Sequence, residues 1–363
     1  MKMKNPNTFS LIMAGGIGSR FWPMSTPQKP KQFLDVLGVG KSLLQLTFER
    51  MLAFSEVQNI YILTNEEYLG LVLEQLPEIQ ASQVICEPQR KNTAPCIAFA
   101  AGKIKSLNAN ATLVISPSDH LILNAEKFNQ CISMAIDTAA MDQLVTLGIQ
   151  PTRPDTGYGY IEIANKSAGQ VHTVLRFREK PDVETAKAFV ASGNYLWNAG
   201  IFIWKASTIL QAFESHAKEL HRLFCMDLTN YNGPQEKEFM RASFAACEDI
   251  SIDFAVMEHA SNVSVVLSDF DWSDLGTWGS LTDHLNKDDH GNAVVGEKVH
   301  MFEAENCLVH MPKGKVALLD GLKDYIVVDA DGMLLVLRKD HEQALKQYLK
   351  ALEAVNPAQH AHG

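Results

Sequence analysis

Short apolar segments alternate with helical patterns over the first two-thirds of the chain, and this alternation restricts the fold more than any other feature. The predicted strands are Thr8–Ala14, Asn59–Thr64, Gln83–Cys86, Ala111–Ser116 and Gln143–Leu147. The segments between them predict helices over Ser42–Phe54, Glu66–Gln75, Pro95–Ser106 and Asn124–Ala140. Such alternation is typical of an α/β fold whose mostly parallel sheet carries helices on both faces.

The pattern changes after Pro151 and again near residues 286–291. The middle part predicts strands Tyr158–Ile163 and Val171–Arg178 as antiparallel additions, helix Asp182–Ala191, and strands Leu196–Trp204 and Asn262–Leu267. The last part predicts a small β-rich module, closed by an amphipathic helix, from Ala293–Val295, Cys307–His310, Val316–Leu319, Tyr325–Val328, Met333–Leu337 and Glu342–Ala354. We therefore expect one domain over residues 1–287 and a second over 288–363.

The charge balance limits the classes of partner. The 363-residue chain has 32 basic and 42 acidic residues, so a broad basic surface for nucleic acid is not expected. Its six cysteines form no CxxC pair and are interpreted as buried thiols in a reducing compartment. Because no signal peptide or membrane span is visible, we predict a cytoplasmic protein without a membrane partner.

A glycine-rich turn follows the first predicted strand. Gly15, Gly16 and Gly18 would let backbone N–H groups wrap a phosphate chain, because no Cβ blocks its approach. Arg20 and Lys31 would add the local positive charge that an acidic protein needs there. A plain β-turn is the alternative interpretation of the glycines alone.

Two familiar phosphate-binding motifs do not match this turn. A dinucleotide-binding fingerprint requires a third glycine where Phe21 stands. A Walker A loop ending at Gly40–Ser42 requires a glycine where Asp35 stands.

Two carboxylates follow predicted strands. Asp119 lies directly after Ala111–Ser116, at the end of a strand where open α/β sheets bind ligands. Asp274 follows the strand Asn262–Leu267 and could supply a second carboxylate. Mg²⁺ takes one or two carboxylates together with substrate phosphates, so the pair predicts a magnesium site. Taken singly, each aspartate could equally be a helix cap or a turn residue.

Taken together, these segments resemble the bacterial mannose-1-phosphate guanylyltransferases, also called GDP-mannose pyrophosphorylases. The resemblance spans nearly the whole chain, in order. Its matching segments are Ala14–Pro23, Pro30–Phe33, Glu87–Pro88 with Arg90–Pro95, Pro117–His120, Gly157–Glu162, Phe177–Pro181, Trp197–Phe202 and Trp272–Trp278.

The resemblance implies a Rossmann-like nucleotidyltransferase domain with a mostly parallel mixed sheet, followed by a short β-helix-like module. It implies catalytic roles for Arg20, Lys31 and Asp119, and Mg²⁺ binding by Asp119 and Asp274. The nucleotide-binding residues that it implies are Ala14, Gly15, Gly16, Gly18, Arg90, Asn92 and Thr93. For the sugar phosphate it implies Gly157, Glu179, Lys180 and Asn198.

The expected reaction transfers GMP from GTP to mannose 1-phosphate by in-line attack, forming GDP-mannose and pyrophosphate. GTP, mannose 1-phosphate and Mg²⁺ are the expected partners, together with a second copy of the chain in a homodimer. The alternatives are a nucleotidyltransferase for another nucleotide or sugar 1-phosphate, and a non-catalytic nucleotide-sugar sensor.

The sequence departs from the family's pattern in two places. Thr26 stands where the family usually has arginine, and the sequence ends before the phosphomannose isomerase domain that many relatives carry. We therefore expect guanylyltransferase activity alone. His120 is interpreted as structural, and Asp253 as a residue placed for helix capping and the helix dipole.

Overall fold

The computed structural model describes residues 4–16, 18–164 and 169–355. Its chain forms two compact units. The first unit consists of Met1–Gly15, Thr47–Ser118 and Ile122–Trp272, and the second of Gly16–Leu46, Asp119–Leu121 and Ser273–Gly363. The predicted boundary divides the chain once, between residues 287 and 288, whereas each unit combines several separate stretches of chain. That boundary stays a prediction.

The described residues form the following strands and helices. The strands up to residue 273 are β1 (Thr8–Met13), β2 (Ile60–Asn65), β3 (Val84–Glu87), β4 (Thr112–Pro117), β5 (Leu121–Ile122), β6 (Leu144–Ile149), β7 (Tyr160–Ile163), β8 (Val171–Arg178), β9 (Tyr195–Lys205), β10 (Val263–Ser268) and β11 (Trp272–Ser273). The later strands are β12 (Ala293–Val295), β13 (Lys298–Phe302), β14 (Leu308–His310), β15 (Val316–Asp320), β16 (Tyr325–Ala330) and β17 (Met333–Arg338). The helices are α1 (Leu43–Met51), α2 (Leu69–Gln75), α3 (Thr93–Leu107), α4 (Ala125–Ala139), α5 (Val183–Ser192), α6 (Ala206–His216), α7 (Lys218–Phe224), α8 (Glu236–Ala246), α9 (Trp278–Thr282) and α10 (Leu345–Val355).

The first unit is built on a nine-stranded sheet with the order β3-β2-β1-β4-β9-β6-β10-β8-β7. Strands β1 to β4 pair in parallel, and so do β6 and β10. Strand β9 runs antiparallel between β4 and β6, and β8 pairs antiparallel with both β10 and β7. The predicted mixed α/β sheet and its antiparallel additions are therefore confirmed.

The carboxyl ends of the parallel strands meet at one edge of this sheet. Strand β2 is buried along its whole length, as expected for a parallel strand covered on both faces. At its end, Thr64 Oγ1 donates a hydrogen bond to the carbonyl oxygen of Ala14 (2.9 Å), and Asn65 Nδ2 donates one to the carbonyl oxygen of Glu87 (3.2 Å). These side chains fix the loops that follow β1 and β3, at the edge where such sheets bind ligands.

The second unit contains the predicted β-rich module. Strands β12, β14 and β16 stack in parallel, with Ala293, Leu308 and Ile326 in register, and β13 pairs in parallel with β15. Strand β17 joins β16 antiparallel. Parallel stacking of short strands is the arrangement of a β-helix, so this prediction is confirmed. Strand β13 was not predicted, because Lys298 and His300 interrupt its apolar residues, whereas Val316–Leu319 of its partner β15 is continuously apolar.

The start of α1 shows how local sequence sets an element. The backbone N–H of Gln45 donates to Ser42 Oγ (3.2 Å), and that of Ser42 donates to Gln45 Oε1 (2.9 Å). This reciprocal pair is a capping box, which the spacing of Ser42 and Gln45 is enough to indicate. The closing helix α10 buries Leu345, whereas Leu352 remains 38% exposed.

Two further expectations were that the thiols are buried and that no segment spans a membrane. Five of the six cysteines are buried thiols as predicted, whereas Cys86 is half-buried, so the expectation was wrong for that residue. None of the helices formed by the described residues has the length and apolar character needed to cross a membrane. The cytoplasmic location stays a prediction.

Helix α3 requires glycine at position 102. A Cβ there would lie 2.7 Å from Tyr231 Oη and 2.8 Å from the carbonyl oxygen of Phe224, which accepts the Tyr231 hydroxyl. We expect Gly102→Ala to lower the free energy of unfolding by about 1–3 kcal/mol, because the Tyr231 hydroxyl and the Phe224 carbonyl cannot move apart without disturbing their hydrogen bond. Chemical denaturation measures this change.

Gly70→Ala in α2 is the matched control. A Cβ at Gly70 would meet nothing within 4 Å. Alanine should therefore be neutral there or stabilise by up to about 1 kcal/mol. Equal effects of the two substitutions would contradict the packing argument.

Candidate active site

A charged cavity of about 290 Å³ lies within the second unit. Its lining joins residues of three chain segments and a helix near the end of the described chain. The lining residues are Gly18, Arg20, Phe21, Lys31, Asp119, His120, Asp274, Leu275, Gly276 and Lys346. The structure thus brings together four residues that the sequence marked for phosphate and metal chemistry: Arg20, Lys31, Asp119 and Asp274.

Lys31 is buried in the wall of the charged cavity among polar partners. Its side chain is buried, and its Nζ lies 2.9 Å from Asp119 Oδ2. The same ammonium donates to the carbonyl oxygens of Asp274 (2.8 Å) and Leu275 (3.1 Å) and lies 5.5 Å from the centroid of the Phe21 ring. Because an ammonium has three N–H donors, these acceptors use all of them.

Asp119 and Asp274 present the carboxylates of the charged cavity. Burial alone would raise the pKa of Asp119, but Lys31 and then His120 outweigh it and lower that pKa below its usual value. Asp119 is still one-third exposed, so an ion could reach its carboxylate. Asp274 Oδ1 accepts the N–H of Gly276 at 3.0 Å, which orients the second carboxylate.

Two carboxylates on one cavity fit Mg²⁺, which is commonly bound by one or two carboxylates and by substrate phosphates. Among the described residues, no group of three or more histidine, cysteine, aspartate or glutamate side chains could hold a metal ion. A site of the Mg²⁺–phosphate kind does not require such a group.

Two glycines leave room for neighbouring side chains around this cavity. Gly18 has φ +63°, and a Cβ there would lie 2.6 Å from Lys31 Cβ. A Cβ on Gly276 would lie 3.0 Å from Asp274 Oδ2. A Cβ on Gly15 or Gly16 would meet nothing within 4 Å, so packing against the described residues does not require glycine at either position.

A second group of polar residues, the polar cluster, lies in the first unit and consists of Thr146, Gly159, Glu179, Asn198 and Asp253. Asn198 lies on β9, opposite a register irregularity in β6. Its Oδ1 accepts the Thr146 hydroxyl (3.0 Å), its Nδ2 donates to Asp253 Oδ1 (3.0 Å), and its backbone N–H donates to the carbonyl oxygen of Gly159 (2.8 Å). The amide of Asn198 is therefore held in one orientation.

Glu179 packs directly against Gly159. A Cβ on Gly159 would lie 2.4 Å from Glu179 Oε2, so only glycine leaves room for this carboxylate. Lys180, with φ +44°, pairs its ammonium with Glu179 Oε1 at 2.8 Å. Gly157 is exposed and donates its N–H to Asp155 Oδ1. Gly159 is thus the glycine in contact with Glu179 and Asn198, and the binding role of Gly157 stays a prediction.

Asp253 is a member of the polar cluster that sequence reasoning missed. The interpretation of helix capping placed it correctly at the start of a helical turn, but its carboxylate accepts the amide of Asn198. Burial raises the pKa of Asp253 to about 7, and repulsion from Glu179 adds to the effect. No local motif indicates the contact with Asn198 or the raised pKa, because the partners of Asp253 lie far away in the sequence.

The loop after β3 holds the residues expected near the nucleotide. The Arg90 guanidinium donates to Tyr68 Oη (2.9 Å) and Glu67 Oε2 (3.1 Å). Asn92, with φ +63°, caps α3 by accepting the Thr93 N–H. Thr93 Oγ1 in turn accepts the N–H of Ile252, so this loop is joined to the segment that carries Asp253.

Glu87, at the end of β3, is another buried carboxyl that sequence reasoning did not assign to a site. Burial raises its pKa to about 8, and Cys96 and Arg90 offset only part of that rise. Glu87 therefore remains largely protonated at neutral pH and can donate a hydrogen bond.

The chain has the fold of a nucleotidyl transferase, and the model of the nucleotidyl transferase family matches residues 9–291. The chain is 37% identical over 350 residues to the alginate biosynthesis protein AlgA of Pseudomonas aeruginosa, covering 95% of this chain and 72% of that protein. It is 37% identical over 361 residues to the mannose-1-phosphate guanylyltransferase of Salmonella montevideo, covering 96% and 75%. A solved structure from Thermus thermophilus, described as a mannose-1-phosphate geranyltransferase, matches with a TM-score of 0.86 and 30% identity over 96% of this chain and 99% of that one. The chain belongs to the mannose-1-phosphate guanylyltransferase family.

The raised pKa of Asp253 predicts how stability depends on pH. The folded protein keeps this proton up to about pH 7, whereas an unfolded aspartate loses it near the usual value of 3.8. The carboxyl therefore makes the fold progressively less stable as the pH rises from about 4 to about 7. We expect Asp253→Asn to be more stable than the unsubstituted chain at pH 8 by about 1–3 kcal/mol, with the difference vanishing near pH 4. Denaturation measured across this range tests the expectation.

Asp249→Asn, at an exposed position four residues earlier, is the control. It should change stability little at any pH. A difference between Asp253→Asn and the unsubstituted chain that stays constant with pH would contradict the raised pKa.

Proposed function

We propose that this chain transfers GMP from GTP to α-D-mannose 1-phosphate, forming GDP-mannose and releasing pyrophosphate. Its family membership supports the reaction class. The observation that carries the proposal is the charged cavity, where Arg20 and Lys31 stand beside the carboxylates of Asp119 and Asp274. A site of this composition suits the transfer of a nucleotidyl group between two anions.

The chemical difficulty is the repulsion between two negatively charged reactants. A phosphate oxygen of mannose 1-phosphate attacks the α-phosphorus of GTP while the bond to pyrophosphate breaks, so negative charge builds on the leaving group. No protein nucleophile is needed, because the sugar phosphate is already ionised at neutral pH. The protein therefore has to position the reactants and offset their charge.

Nucleotidyl transferases generally use a divalent cation, and we propose that it is Mg²⁺ here, held by Asp119 and Asp274. When bound, the ion would neutralise phosphate charge. The chain's own cationic groups would supply the remaining positive charge. Arg20 has an exposed head group at the charged cavity and would bind phosphate oxygens directly.

Lys31 would act differently from Arg20. All three of its donors are engaged by protein acceptors, so it has none to spare for a ligand in this arrangement. We propose that its positive charge offsets the phosphates from within the wall of the cavity. Its hydrogen bonds would also hold the segment that presents Asp274.

The polar cluster would bind the sugar. The Glu179 carboxylate can accept hydrogen bonds from sugar hydroxyls, and the Asn198 amide is oriented to donate one. We assign the sugar phosphate to Lys180 and a sugar contact to Gly157.

On the nucleotide side, the proposed ligands are the backbone of Ala14, Gly15, Gly16 and Gly18, and the side chains of Arg90, Asn92 and Thr93. The homodimer stays a prediction.

A panel of substrates tests the proposed function. Pyrophosphate release should be fastest with GTP and mannose 1-phosphate when the four common nucleoside triphosphates are crossed with several sugar 1-phosphates. A higher kcat/KM with another pair would identify a different nucleotidyltransferase. Tight binding of GDP-mannose without any turnover would identify a sensor.

Asp274→Asn tests the carboxylate pair. The Asp274 group that binds Lys31 is its backbone carbonyl, so the substitution removes a charge without breaking that contact. We expect kcat to fall by about 10²–10³-fold with an unchanged melting temperature. Asp119→Asn should reduce kcat similarly but also lower the melting temperature, since it leaves the buried Lys31 ammonium without its counter-ion.

Asp271→Asn is the matched control for Asp274→Asn. It changes an exposed aspartate three residues away that does not line the charged cavity. Near-full activity of Asp274→Asn, or an equal loss in Asp271→Asn, would refute the proposed role.

A further inference from the structure

The helix α10 places Lys346 at the charged cavity. Lys346 lines this cavity together with Arg20, Lys31 and the two carboxylates. It also lines a smaller adjoining cavity of about 80 Å³, whose wall again includes Arg20. Arg20 and Lys346 are thus two cationic residues, far apart in the sequence, that border the same two cavities of the second unit.

The start of α10 is anchored, so Lys346 projects from a defined position. The preceding turn brings Glu342 against α9, where its Oε1 accepts the N–H of Gly279 at 2.8 Å. Leu345, next to Lys346, is buried in the core of the second unit. The helix also contacts the turn Ser19–Phe21, which carries Arg20. Polar and apolar contacts therefore both hold the helix beside the cavity.

The head group of Lys346 is available to a ligand. Lys346 and Arg20 are both exposed, and neither has a hydrogen bond or ion pair with another residue in the part of the chain that the structure describes. Lys31, by contrast, donates its three N–H groups to protein oxygens. A polyanion entering the charged cavity would therefore find its exposed cations on Arg20 and Lys346.

We propose that Lys346 binds the β- and γ-phosphates of the nucleoside triphosphate, which leave as pyrophosphate. This inference rests on the proposed function. The triphosphate is favoured over the sugar phosphate because Lys346 shares its cavity with Gly18 and Arg20 of the glycine-rich turn, whereas Lys180 is a residue of the first unit. The C-terminal module would then supply a ligand to the phosphate site in addition to stabilising the fold.

Steady-state kinetics in both directions test this role. Lys346→Ala should raise KM for GTP, and KM for pyrophosphate in the reverse reaction, by about tenfold or more through loss of a charge-assisted hydrogen bond. KM for mannose 1-phosphate and for GDP-mannose, which lack the γ-phosphate, should stay within about twofold. Lys346→Arg should restore most of the loss, because guanidinium also binds phosphate.

Lys350→Ala is the matched control, one helical turn further along α10 on an exposed residue that lines neither cavity. It should leave all four KM values unchanged. Equal changes in Lys346→Ala and Lys350→Ala, or a shift in KM for mannose 1-phosphate as large as that for GTP, would overturn the proposal.

Direct binding separates this inference from the proposed function. Calorimetric titration of the full chain with inorganic pyrophosphate and Mg²⁺ should show about tenfold weaker binding for Lys346→Ala, whichever sugar the enzyme uses. If the substrate panel fails but this difference appears, the proposed function is wrong and the pyrophosphate site stands. If the panel succeeds while Lys346→Ala binds pyrophosphate normally, Lys346 has no such role.

Discussion

The arrangement of the charged cavity in the second unit depends on the buried ammonium of Lys31. A buried charge without partners would cost several kcal/mol, so this lysine can remain only if acceptors surround it. The carboxylate of Asp119 and the carbonyl oxygens of Asp274 and Leu275 provide them. One side chain therefore joins three segments that are distant in sequence, because its contacts hold the carboxylate of Asp119 and the backbone that presents Asp274.

At Lys31 a buried cation is surrounded by acceptors, whereas the polar cluster of the first unit holds two acidic groups close together. Asp253 and Glu179 are two acidic groups near each other, and the burial of Asp253 raises its pKa to about 7. A folded protein tolerates such a group at a cost in stability, which is common where a site must recognise a ligand. The amide of Asn198, fixed by Thr146 and Asp253, gives this cluster a defined donor. The cost and the defined geometry together support the proposed sugar-binding role of this cluster.

Much of the fold could be predicted because local patterns determine strands and helices. The strands β1 to β4 and the capping box at Ser42 follow from apolar periodicity and from a local hydrogen-bonding pair. Strand β13 was missed because Lys298 and His300 interrupt its apolar residues. A helical pattern also does not show where packing ends, and Leu352 of α10 remains 38% exposed. Asp253 and Lys346 were missed for another reason: their neighbours in space are far away in sequence.

The sequence by itself determined the class of fold, the glycine-rich turn and the kinds of charged residue that phosphate chemistry needs, since these depend on local periodicity and residue type. Only the tertiary structure decided which charges are available to a ligand. It buried Lys31 among three acceptors, left Arg20 and Lys346 exposed at one cavity, and placed Gly159 rather than Gly157 against Glu179. The physical reason is that burial and hydrogen-bond partners arise from packing between distant segments, which residue spacing along the chain does not encode.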